Sequence, residues 1–146
     1  MAALSFERHC EISEDHFAQA EAIAGASTDW AAVAYFYSAY HAMKAAFLQD
    51  PIFDDMTRLK SINQHLMPDD RNTQKHKVRR GGNGFGVNDL VHLLYPSKRG
   101  DYERLHQSSL GVRYGQGVVY PIDQLAEMAA GISEARTSGM LVASPL

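Results

Sequence analysis

The chain holds one cysteine among its 146 residues, so no disulfide can form within it, and a reducing, cytoplasmic setting is the simplest expectation. The residues from Met1 to Cys10 mix Glu7, Arg8 and His9 with short apolar patches, which gives a signal peptide no hydrophobic stretch to work with. No charge of one sign dominates: 14 Lys and Arg against 17 Asp and Glu leave a formal charge of -3, too small to demand a polyanionic or membrane partner. HExxH, CxxC, a Gly-x-Ser-x-Gly elbow and a Walker phosphate loop are all missing, so neither zinc hydrolysis, a hydrolase elbow nor nucleotide triphosphate chemistry is indicated. We expect no cofactor and no metal.

Long uncharged apolar runs are also scarce. The nearest approach is Trp30 to Leu48, in which only Ser38, His41 and Lys44 fall outside the apolar set. Seven of its 19 residues are alanine, and Lys44 near the middle of a lone span would cost about 2.5–3.5 kcal/mol. A helix apolar on all sides is equally what the centre of a helical bundle needs, and we read it so, with no membrane partner.

What is present is helix after helix. Ser13 can cap a first helix that carries Phe17, Ala20, Ile23 and Ala24 on one face and ends at Gly25. Thr28 or Asp29 can cap a second, Trp30 to about Gln49, with two apolar stripes and Pro51 as its stop. A third helix is expected over Asp55 to Leu66, closed by Pro68. Asn88 can cap a short one over Asp89 to Tyr95, broken by Pro96. Tyr102, Leu105, Ser109 and Val112 share a face of another that ends near Gly115, and Pro121 opens a last one. From Thr137 the small, polar-leaning tail (137–146) is expected to fray. Val118-Val119-Tyr120 is the single strand-like run, and one run makes no sheet. The expected fold class is all-α: a single helical domain over residues 1–136, a bundle of about five or six helices with one long, basic, glycine-rich loop at 69–88.

That loop concentrates charge. Arg71, Lys75, Lys77, Arg79 and Arg80 lie together without an acid, so the rest of the chain carries -8. Basic side chains neutralise phosphates, and Gly81, Gly82, Gly84 and Gly86 let backbone N–H groups approach them. The plain alternative is a solvated loop offsetting an acidic body. Gly82-Asn83-Gly84-Phe85-Gly86 lacks the preceding strand and the glycine spacing of a dinucleotide fingerprint. His41, next to Tyr40 and near Tyr37 in the second helix, reads first as a hydrogen-bonded core histidine. Cys10 beside His9 lies too near the terminus to look like an activated nucleophile.

The run Trp30-Ala31-Ala32-Val33-Ala34-Tyr35-Phe36-Tyr37-Ser38-Ala39-Tyr40-His41-Ala42-Met43-Lys44-Ala45 resembles the second helix of the HEPN family. Tyr102-Glu103-Arg104-Leu105-His106-Gln107-Ser108-Ser109 and Val112-Arg113-Tyr114 resemble the closing stretch of small bacterial HEPN-like proteins. The resemblance covers about residues 12 to 116 and implies a helical bundle that dimerises. Many family members are metal-independent ribonucleases of toxin, abortive-infection or phage-defence systems; others are non-catalytic partners of nucleotidyltransferases.

Family nucleases carry an arginine and, after four to six intervening residues, a histidine. This chain offers Arg58 to His65, Arg71-Asn72 to His76, and Arg99 to His106. The resemblance favours the second, since Asn follows the Arg and the basic loop surrounds it, although in the family the motif opens a helix and here no helical pattern is evident. Arg71, Asn72 and His76 are then the expected catalytic residues, with Lys75, Lys77, Arg79 and Arg80 along the RNA. His41, Arg99, His106, Arg113 and Tyr114 are secondary candidates. Histidine can take the 2′-OH proton, and an arginine fork fits the phosphate oxygens. The expected partners are RNA, a second copy of the chain, and a cognate antitoxin or nucleotidyltransferase. The alternative is a non-catalytic dimeric adaptor.

Overall fold

The computed structural model describes residues 3–76, 84–115 and 117–143. It is an all-helical bundle of six α-helices: α1 (Phe6–Ile23), α2 (Thr28–Gln49), α3 (Met56–Ile62), α4 (Val87–Leu94), α5 (Pro96–Tyr114) and α6 (Ile122–Thr137), with 3₁₀ turns at Pro51–Asp54 and Pro68–Asn72. No strand occurs among the described residues; Val118, Val119 and Tyr120 lie in irregular chain, where the Tyr120 amide donates to Ser108 Oγ at 3.0 Å.

α2 is the axis of the bundle. It packs against α1, α4, α5 and α6, so it is buried on several sides, and that explains an apolar surface all round. Its buried alanines, among them Ala31, Ala39, Ala42 and Ala45, leave room for close approach of the neighbouring backbones, while Phe36, Met43 and Phe47 fill the core. No described helix is long and apolar enough to cross a membrane. Two buried serines lock α1 to α2 reciprocally: Ser13 Oγ donates to the Ser38 carbonyl at 2.7 Å and Ser38 Oγ to the Ser13 carbonyl at 2.8 Å. Each hydroxyl satisfies itself on the other backbone, as a buried polar group must.

Several boundaries differ from the sequence reading. α1 starts a good two turns earlier than Ser13, because Ser5 Oγ caps it through the Arg8 amide; Ser13 is used inside the helix. Ser27, not Thr28 or Asp29, caps α2. α3 is capped by Asp55 but stops at Ile62, and Leu66 is buried from the turn beyond it. Gly86 precedes α4, which begins at Val87, ahead of Asn88. Pro96 both ends α4 and opens α5: it pushes Tyr95 out of helical geometry, and its own missing N–H costs nothing at a first helical position. Gly115 closes α5 in the left-handed conformation, φ 66°.

The expectation of a frayed tail from Thr137 is corrected as far as Ala143. α6 runs through Thr137, Leu141 and Ala143 are buried, and the Ala143 amide donates to Asp50 Oδ2 at 2.7 Å. Asp50 is itself buried and anchors three segments: its carboxylate also accepts from Tyr95 OH at 2.6 Å and from the Ile52 amide at 3.0 Å. The sequence shows Asp50 only as the residue between a helix and Pro51; its partners arrive from 45 and 93 residues away. The loop expected over 69–88 is also shorter among the described residues, with a 3₁₀ turn at its start and α4 at its end.

Candidate functional site: a histidine band along the second helix

Residues three and four apart on a helix share a face, and on α2 Phe36, Tyr37, Tyr40, His41 and Lys44 make such a face. On α1, His9, Ser13 and His16 form the stripe that meets it. One imidazole of the pair His9 and His41 donates its Nδ1–H to the other's Nδ1 at 3.0 Å, which leaves the accepting ring to carry its proton on Nε2. His16 also stacks on His41, ring centroids 5.8 Å apart, and leans on Tyr37 at 5.9 Å.

The fourth imidazole comes from the loop. His76 lies flat on Tyr40, centroids 4.3 Å apart and planes 12° from parallel, with Tyr37 and Phe36 at its edges. Its backbone is pinned: the Asn88 amide donates to the His76 carbonyl at 2.9 Å and the Val87 amide to the Lys75 carbonyl at 2.8 Å. Those two bonds tie the loop at His76 to the start of α4.

Two cations complete the group. Arg113 of α5 donates Nη1–H to Tyr37 OH at 3.1 Å and lies over the Tyr37 ring; Lys44 lies 5.7 Å from the Tyr40 ring centre. Among the described residues none of these four imidazoles hydrogen-bonds a carboxylate. Burial is therefore opposed only weakly, by Asp15 at His16 among the described residues. Desolvation, helped by Lys44, holds His9 down at about 4. Desolvation together with His9, His16, Lys44 and His76 holds His41 at about 3. His76 is lowered by burial and then by Arg113 and Lys44. His16 is lowered by burial, partly opposed by Asp15. Burial also lowers Lys44 and pushes Tyr40 up to about 12. The cluster is thus a half-buried set of neutral imidazoles beside an arginine and a lysine. An arriving anion would raise every one of those imidazole values, because it supplies the counter-charge the site lacks.

A second group continues the band. His106 of α5 packs on Phe36 at 5.1 Å, so one phenyl ring separates it from His76. Beyond it a cavity of about 270 Å³ is lined by Arg99, Glu103 and His106 of α5 and by Asn88, Asp89 and His92 of α4. Asn88 accepts from Tyr102 OH at 2.8 Å, which fixes its amide at the cavity wall.

The expected catalytic residues are split. Arg71 does not join His76 in the cluster. Its Nε donates to the Phe47 carbonyl at 3.1 Å, Nη2 to the Asp50 carbonyl at 2.8 Å and Nη1 to Asp54 at 2.9 Å, and it stacks over Phe53. α2 has no basic residue in its last turn, and Arg71 supplies that missing charge from outside. Asn72 donates to Asp69 on the surface, and Lys75 is exposed. Lys77, Arg79 and Arg80 lie outside the described residues.

Of the secondary candidates, His41 and Arg113 are brought to His76, Arg99 and His106 share the cavity, and Tyr114 is exposed beneath the Arg113 guanidinium. No family model, curated protein or solved structure matches the chain.

His9, His16, Tyr37, Tyr40 and Lys44 were not singled out from the sequence as site residues. For Tyr37, Tyr40 and Lys44 the signal that could have found them is a polar and aromatic stripe on the alanine-rich α2; for His9 and His16 it is their spacing of seven residues on one face of α1. Cys10 is within α1, not at a loose end, and its Sγ accepts from Arg136 Nη1 at 3.1 Å. Among the described residues no three His, Cys, Asp or Glu side chains are grouped so as to hold a metal ion.

Proposed function

We propose that the protein is a HEPN-like, metal-independent endoribonuclease and that His76, His41, Arg113 and Lys44 carry the chemistry. The observation that supports this reading is a half-buried cluster of imidazoles beside Arg113 and Lys44 in which, among the described residues, no imidazole hydrogen-bonds a carboxylate. Cleavage of RNA by its own 2′-OH needs a base, an acid and positive charge on the phosphorane. Neutral His76 takes the 2′-OH proton. The bound phosphate supplies the missing counter-charge, so His41 takes up a proton from solvent, and the resulting imidazolium, across the Tyr40 ring from His76, gives it to the leaving 5′-oxygen. Arg113 and Lys44 hold the non-bridging oxygens. In this reading the arginine partner of His76 is Arg113 from α5 rather than Arg71.

The test is incubation of the purified protein with mixed RNA in EDTA. Fragments ending in 2′,3′-cyclic phosphate are expected, and His76→Ala should lower the rate by about a hundredfold or more. No cleavage, or cleavage unchanged in His76→Ala, overturns the proposal.

A second reading, the dimeric adaptor of a toxin-antitoxin or nucleotidyltransferase pair, draws on exposed apolar surface. Trp30 is 60% exposed, Tyr114 63% and Val118 65%. Large aromatic side chains of this kind are favoured at interfaces. Light scattering on the eluted protein tests it: a dimer at micromolar concentration that tightens no RNA cleavage favours the adaptor, and a strict monomer rejects it.

A further inference from the structure

We infer that the cavity between α4 and α5 is a nucleobase subsite, selective for guanine, next to the phosphate-binding imidazoles; the inference rests on the reading of that cluster as a phosphate site. The two compartments differ in charge. The cluster around His76 has cations and imidazoles, whereas the cavity presents Glu103 and Asp89 together with Arg99 and Asn88. Carboxylates repel a phosphate but accept hydrogen bonds from a neutral base, so a nucleotide entering both would place its phosphate at His76 and its base in the cavity. Phe36, in ring contact with both His76 and His106, makes the two compartments neighbours on the scale of one nucleotide.

The cavity has the polar groups that guanine requires. Arg99 and Glu103 are four residues apart on one face of α5, yet they are not paired with each other. His92 holds both from the opposite wall: its carbonyl accepts from Arg99 Nη1 at 3.3 Å and its ring meets Glu103 Oε1 at 3.2 Å. A carboxylate and a guanidinium are thus kept separately available. Guanine offers N1–H and N2–H to a carboxylate on one edge and O6 and N7 to a guanidinium on another. Adenine has no N1–H and can offer the carboxylate only its N6–H2, and it sets that donor against the guanidinium where guanine sets the O6 acceptor. The imidazoles of His92 and His106 provide flat faces against which a base can stack.

The experiment is calorimetric titration of the full chain with guanosine 3′-monophosphate, adenosine 3′-monophosphate and inorganic phosphate. The guanine nucleotide should bind about tenfold more tightly than the adenine one, and Glu103→Gln should reduce that preference to about twofold. Glu103 is on the surface, and an unchanged thermal melt of the variant shows that the fold is intact. Arg113→Ala should weaken both nucleotides and leave the preference in place. Equal binding of the two nucleotides, binding of neither, or a preference that survives Glu103→Gln overturns the inference. The two readings fail separately: guanine preference without RNA cleavage removes the ribonuclease and keeps the subsite, and cleavage without base preference does the reverse.

Discussion

His76 lies face to face on Tyr40, and that stack, not a covalent or helical neighbour, sets where the loop imidazole stands. Together with the Asn88 amide on its carbonyl it gives a loop residue a fixed ring plane. Replacing Tyr40 separates the ring from the hydroxyl. Tyr40→Phe keeps the stack, so RNA cleavage in EDTA should stay within about threefold of the parent. Tyr40→Leu removes an aromatic pair worth about 0.5–1.5 kcal/mol and lets His76 shift, and the rate should fall by about a hundredfold. Equal rates for the two variants would mean that the stack does not position the base.

Arg71 is predicted to act on stability. Its guanidinium bonds the carbonyls of Phe47 and Asp50, groups that a helix end leaves without partners. Arg71→Ala should cost about 1.5–3 kcal/mol in urea unfolding, and Arg71→Lys should recover only part, since an ammonium lacks the planar fork. Nucleotide affinity measured below the unfolding range should be unchanged. A variant that folds with parental stability but loses cleavage would return Arg71 to the catalytic group.

The buried imidazoles make stability depend on pH with a definite sign. Unfolded histidine binds its proton near 6.5, whereas folded His9 resists until about 4 and His41 until about 3. Between those values the unfolded chain holds more protons, so the stabilising contribution is complete above 6.5 and is lost as pH falls toward 4. His16, His76 and Lys44 face the same cluster and push in the same direction, while Asp15 opposes it at His16. Denaturation midpoints should therefore drop from pH 7 to pH 5. His41→Gln should flatten the slope, and added phosphate, which favours the protonated rings, should offset it. A midpoint independent of pH over this range would contradict the burial of these rings.

How far the sequence reveals this molecule follows from the reach of each interaction. α2, α5 and α6 are legible because their apolar spacing, the stops at Pro51 and Gly115 and the start at Pro121 are local. The start of α1 is misread because Ser5 and Ser13 are equally good caps by composition, and only packing on α2 decides between them. Arg71 and His76 look like one motif at a distance of five residues, but the 3₁₀ turn ending at Asn72 turns the arginine to the end of α2 and lets the chain carry the histidine to Tyr40. Arg113, His41 and His9 come to the cluster from three helices, and no spacing along the chain links them. The tail hides its docking because its anchors, the Ala143 amide on Asp50 and the buried Leu141 and Ala143 side chains, meet partners far away along the chain.

The most direct measurement is histidine-detected ¹H–¹⁵N NMR of the ring nitrogens during titration with inorganic phosphate at pH 6.5. The account predicts that His41 and His76 shift together toward the protonated form as phosphate binds, and that Arg113→Ala abolishes both shifts while exposed His65 stays unaffected in either protein. Ring signals of His41 and His76 that remain those of neutral imidazole at saturating phosphate would contradict it.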